Sequence, residues 1–115
     1  MSITMYGIPN CDTIKKAKKW LQEADISFDF HDYRKQGVDN DLVASFCQQL
    51  GWEHVLNKRG TTYRQLTQEQ KDSLDEHSVI PLLVEHPAMI KRPILKVNEQ
   101  LYIGFKAPQY SDIFK

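Results

Sequence analysis

The sequence predicts an α/β domain, and three observations predict it. Ile3 to Tyr33 runs through a short apolar strand, an amphipathic helix and an aromatic-rich strand. The stretch after Gly37 carries apolar residues at helical spacing, interrupted by turn residues. Two short apolar runs then flank Asn98 and Glu99 at hairpin spacing. A strand-helix-strand unit followed by helices and a hairpin is a mixed sheet with helices packed on it.

Ile3, Thr4, Met5 and Tyr6 form the first strand, and Gly7 and Pro9 make a sharp exit loop. Ile14, Ala17, Trp20 and Leu21 share one face of a helix that ends near Ala24 and Asp25. Ile26 to Tyr33 reads as the second strand, with Phe28 and Phe30 on one side. Because a helix joins these strands, they should run parallel through a right-handed crossover. After Gly37, Asp39 or Asn40 caps a helix with Leu42, Val43, Phe46 and Leu50 on its apolar stripe and Gly51 as its stop.

Trp52 to Leu66 predicts a loop with short helical turns around Lys58, Arg59, Gly60 and Arg64. Thr67 and Gln70 have capping-box spacing for a surface helix reaching Leu74. Ser78 is placed to cap the next helix, which tolerates Pro81 in its first turn and ends at His86 and Pro87. Pro93 opens a strand that continues to Val97, and Gln100 to Ile103 returns antiparallel to it. Gly104 to Pro108 leads into a closing helix with Ile113 and Phe114 as its apolar contacts.

At 115 residues the chain reads as one domain, residues 1–115. Fifteen basic and fifteen acidic residues balance, so bulk charge draws it neither to nucleic acid nor to an anionic membrane. The N-terminus lacks the basic and long apolar regions of a secretory signal, and a cytoplasmic location is expected. Two cysteines are too few for a disulfide framework. His31, His54, His77 and His86 show no zinc-ligand spacing, so no metal is expected.

Cys11 stands where the first strand hands over to the first helix. The leading N–H groups of a helix lack intrahelical partners and, with the helix dipole, favour negative charge. An unperturbed thiol, with a pKa of about 8.5, is only about 3% ionised at neutral pH, and cysteines at helix starts beside cations can fall to roughly 3.5–7.5. Position should therefore make Cys11 a nucleophile. Asp12, Thr13 and Lys15 in the first turn are the candidate tuning groups, Lys15 helping by charge and Asp12 opposing. Position 14 is Ile14, so no CxxC dithiol can form. Cys47, beside Phe46 and Leu50, reads as a packed thiol.

Five segments, YGIPNCDTIKKA, FHDYRKQG, LNKRGTTYRQL, MIKRPIL and GFKAPQY, give the chain a resemblance along essentially its whole length. It resembles the ArsC-like family, the glutaredoxin-coupled arsenate reductases with their Spx and YffB relatives. That resemblance implies a thioredoxin-like, glutaredoxin-type fold: a four-stranded mixed sheet with a helical insertion between the βαβ unit and the hairpin. It implies a thiol oxidoreductase in which Cys11 attacks an oxidised thiol or a small oxyanion, with glutathione or glutaredoxin resolving the adduct and no cofactor bound. Arg92 and Pro93 would bind the anion or glutathione, with a cis bond between them, and Asn57, Lys58 and Arg59 supply the middle-loop site.

Arsenate reductases of this kind carry a histidine where this chain has Gly7 and an arginine where it has Asn57. Their third arginine has no counterpart near Phe105 and Lys106. Planar guanidinium donors hold a tetrahedral oxyanion best, so the resemblance favours the YffB-like branch, with glutathione as co-substrate. Arsenate reduction and an Spx-like regulator that binds RNA polymerase without catalysis are the alternatives.

Overall fold

In a computed structural model, which describes residues 2–114, the chain divides into two compact units. One joins the residues up to Gln36 with those from Arg92 onward, and the other is Gly37–Lys91.

The first unit holds a four-stranded sheet in the order β2-β1-β3-β4. Its strands are β1 (Ile3–Gly7), β2 (Asp29–Asp32), β3 (Ile94–Val97) and β4 (Gln100–Ile103). Met5 faces Phe30 and Gly7 faces Asp32 across a parallel β1–β2 pair. Tyr6 faces Ile94 across an antiparallel β1–β3 pair, and β3–β4 is the expected antiparallel hairpin. Asn98 adopts positive φ at the hairpin turn.

Helix α1 (Asp12–Glu23) buries Ile14, Ala17 and Leu21 against Ile3, Met5 and Leu95. Ile3 and Met5, two residues apart on the strand, meet the period-3.6 stripe of the helix in one apolar layer, while the alternate residue Tyr6 is buried as well. The closing helix α8 (Ala107–Ile113) joins this layer through Tyr110, which is fully buried. Tyr110 meets Phe105 edge-on at 4.7 Å and Trp20 at 5.5 Å. Ile113 and Phe114, the expected contacts, are only partly buried at its margin.

The second strand is shorter than predicted. Ile26 donates its N–H to the Leu21 carbonyl at 2.9 Å, so its amide completes the end of α1 instead of a ladder. At the other end the Asp32 carboxylate accepts the Arg34 N–H at 2.9 Å and starts the one-turn helix α2 (Tyr33–Gln36). Local side-chain bonding of this kind competes with a strand and ends it.

The second unit contains α3 (Asn40–Leu50), α4 (Trp52–Val55), α5 (Thr61–Arg64), α6 (Gln68–Asp72), α7 (Val79–Glu85) and a 3-10 turn at Pro87–Met89. Asp39, rather than Asn40, caps α3, accepting the Leu42 N–H at 2.8 Å, and Gly51 ends it at φ 87°. Thr67 and Gln70 form the full capping box. Ser78 does not cap α7: its hydroxyl accepts the Asp75 N–H and donates to the Ser73 carbonyl. Asp75 instead caps the turn that leads into α7, accepting the N–H groups of His77 at 2.8 Å and Ser78 at 2.7 Å. A carboxylate is the stronger acceptor for amides at the positive end of a helix. No helix among the described residues is long and apolar enough to cross a membrane.

Candidate functional site

Cys11 occupies the N-cap of α1 with extended backbone (φ −93°, ψ 129°). Its N–H reaches the Ile8 carbonyl at 3.3 Å, closing the loop out of β1, and its carbonyl accepts the first helical bond from Lys15 at 3.0 Å. The backbone thus fixes the sulfur over the start of the helix, partly exposed.

Burial pushes the Cys11 thiol up, but the backbone N–H groups of Ile14 and Thr13 pull it down, as does the Arg92 guanidinium by charge and by hydrogen bonding. The lowering effects outweigh burial, leaving the thiol below its ordinary value. The sulfur takes no regular capping hydrogen bond, so these donors act chiefly on the ionised form. Asp12 and Lys15 point outward as exposed side chains and are not among the groups that move it. Thr13 contributes through its backbone.

Arg92 is half-buried, and its bond to the buried Pro93 is cis. The Pro93 carbonyl accepts the Gly104 N–H at 2.9 Å, tying the residue before β3 to the residue after β4. Asn57, Lys58 and Arg59 belong to the second unit. There the Asn57 side chain accepts the Arg59 N–H at 3.1 Å in an Asx turn, while Lys58 and Arg59 are exposed. Burial alone pushes the Cys47 thiol up, so it has none of the activation that Cys11 has. Among the described residues no cluster of three or more His, Cys, Asp or Glu side chains could hold a metal ion.

Two features escape sequence reasoning. Gly7 is packed so tightly that a Cβ there would run into the Ile14 side chain. The position where the resemblance sets a histidine is therefore filled from α1 by the residue that replaces a second cysteine. Tyr33, read as a strand end, is buried with its hydroxyl lacking any partner among the described residues. Only the aromatic spacing of Tyr6, His31 and Tyr33 hints at it; the rings lie 5.0 Å and 6.0 Å apart in sequence along the row.

A mixed four-stranded sheet that presents an acidified thiol at the first helix start, with an arginine and a cis-proline leading into the hairpin, defines an α/β protein of the thioredoxin-like class. Within that class the chain belongs to the ArsC family, whose model matches residues 6–113. It is 44% identical over 112 residues to an uncharacterized protein of Haemophilus influenzae, covering 97% of this chain and 98% of that one. It is similar to the global transcriptional regulator Spx of Staphylococcus aureus, at 27% identity over 90% of this chain and 79% of the regulator. The solved structure of a YffB protein superposes with a TM-score of 0.93 at 43% identity, covering 96% of this chain and 97% of the other. The arsenate reductase from Vibrio cholerae superposes with a TM-score of 0.85 at 25% identity, covering 98% of each.

Proposed function

We propose that this protein is a single-cysteine thiol oxidoreductase that works with glutathione. The observation that carries the reading is the Cys11 thiol, held below its ordinary value by helix amides and Arg92 despite burial. Ionisation supplies the nucleophile, and Arg92 supplies a cation for a substrate carboxylate.

In the first step the Cys11 thiolate attacks the glutathionyl sulfur of a mixed disulfide. A new disulfide joins Cys11 to glutathione, the old one breaks, and the substrate leaves as a thiolate. In the second step a glutathione or glutaredoxin thiolate attacks the glutathionyl sulfur of the adduct, releasing Cys11 as thiolate and carrying the oxidation away as a disulfide. Exchange of this kind needs an in-line external thiol when no neighbouring cysteine is present, and Ile14 occupies the neighbouring position. Similarity to arsenate reductases and to Spx supports family membership more than either activity. Gly7 and Asn57 do not supply the histidine and arginine that the arsenate reading expects, and Ile14 removes the Spx-type dithiol switch.

The test is reduction of a glutathionylated peptide by glutathione, with and without glutaredoxin, by wild type and Cys11→Ser. Turnover by wild type that vanishes in the variant supports the reading. If neither protein turns over the peptide while both capture RNA polymerase equally, the regulator reading takes its place.

A further inference from the structure

Tyr33 is 3% exposed, and its hydroxyl has no hydrogen-bond partner among the described residues. A buried donor left unpaired is destabilising, whereas a phenyl ring of the same shape is not. The hydroxyl gains nothing from the resting fold, which directs attention to a group that arrives.

The topology places it at the reactive end of the sheet. Tyr33 follows Asp32, which pairs with Gly7 at the end of β1, where the chain departs for Cys11. Arg92 stands two residues before Ile94, which pairs with Tyr6 at that same end. The His31 ring lies 5.0 Å from Tyr6 and 6.0 Å from Tyr33, so the phenol ring packs in a row with these two. Burial pushes the phenol far up, Tyr6 adds to this, and the Arg92 charge opposes it. The phenol therefore keeps its proton and is a donor throughout the physiological range. The same guanidinium that acts on this phenol acts on the Cys11 sulfur, so Arg92 links the two.

A planar cation at a nucleophilic sulfur, with a neutral O–H donor in the field of that same cation, calls for an anionic acceptor with two oxygens. We propose that Tyr33 is a binding residue of the Cys11 site, its hydroxyl donating, together with Arg92, to a carboxylate of the incoming disulfide. This rests on Cys11 being the attacking thiol and narrows the substrate class: carboxylate-bearing disulfides such as glutathione conjugates are preferred over neutral ones.

Tyr33→Phe removes the hydroxyl alone. Rates of Cys11 adduct formation would be measured by mass spectrometry with oxidised glutathione and with 2-hydroxyethyl disulfide, which has no carboxylate. Wild type should favour oxidised glutathione, and the variant should lose that preference by about tenfold, as expected for one hydrogen bond to a charged group. The rate with the neutral disulfide and the pH midpoint of Cys11 alkylation should not move, and the thermal midpoint should hold or rise. Equal preference in variant and wild type, or no preference in wild type, overturns the proposal. A lower thermal midpoint with parallel losses toward both disulfides overturns it too, because a structural hydroxyl would behave that way. Failure of the oxidoreductase reading looks different: Cys11 adducts form with the expected preference, yet a second glutathione does not release them.

Discussion

Replacing Gly7 by alanine probes the packing that separates this site from one with a histidine at that position. A Cβ built on Gly7 collides with Ile14 Cδ1 and lies 3.1 Å from Ile14 Cγ1 and 3.9 Å from Phe30 Cε1. Ile14 has no exposed surface, so its side chain has no solvent side into which to swing. Stiffening the unfolded chain favours alanine by about 0.4–1 kcal/mol, and overpacking a well-filled core costs about 1–3 kcal/mol. The net is a loss of up to about 2.6 kcal/mol, the difference between those two effects. At this chain length that lowers the thermal midpoint by up to roughly 10 °C. Ile14→Val deletes Cδ1 and costs about 0.5–1.5 kcal/mol alone. In the double variant the collision is gone, so its loss should fall short of the sum by at least about 0.5 kcal/mol. Thermal and denaturant unfolding of the four proteins completes the cycle. Because the Ile14 amide lowers the Cys11 thiol, displacing Ile14 should also raise the pH midpoint of Cys11 alkylation in Gly7→Ala. Strict additivity, or a stabilised Gly7→Ala, would refute the reasoning.

Arg92→Gln removes a charge and a hydrogen bond that favour the Cys11 thiolate, so the alkylation midpoint should move up toward the ordinary thiol range; an unmoved midpoint would assign the lowering to the helix amides alone. The lowered thiol also links stability to pH. Since the unfolded chain holds this proton more tightly, the thiolate's contribution is fully present above the unfolded thiol value of about 8.5 and is lost as pH falls through the lower folded value. Wild type should therefore gain stability over Cys11→Ser as pH rises through that window, and parallel stability curves for the two proteins would contradict it. Tyr110→Phe deletes a buried hydroxyl with no partner among the described residues while keeping the edge-on contacts to Phe105 and Trp20. Its thermal midpoint should be unchanged or higher; a clear drop would mean that the hydroxyl has a partner in solution.

Short-range chemistry made much of this protein legible from residues alone. The apolar run of Ile3 to Tyr6 and the 3.6-residue spacing of Ile14, Ala17 and Leu21 are local patterns, the first marking a strand buried along nearly its whole length and the second naming the buried face of the helix. Asp39 and the Thr67–Gln70 pair announce helix starts because a cap is satisfied within three residues of itself. Ser78 misled for the same reason in reverse: Asp75 and Ser78 are both well-placed acceptors, and only the folded turn settles which one the amides choose. Cys11 at a strand-to-helix junction was readable as a poised thiol, since the helix start itself supplies the amides.

What the sequence determined by itself was the order of elements, the parallel pairing that follows from a helix between strands, and the place of the thiol at a helix start. What only the tertiary structure decided was which side chains reach that thiol. Arg92 is distant in sequence from Cys11 and meets it because β3 pairs with β1, whereas Lys15, four residues away, is turned outward by the helix. Tyr33 lost its place in β2 and was left with a buried, unpaired hydroxyl at the same end of the sheet. Through-space interactions depend on strand register and on the direction of each side chain, and both are set by packing that no local stretch of sequence contains.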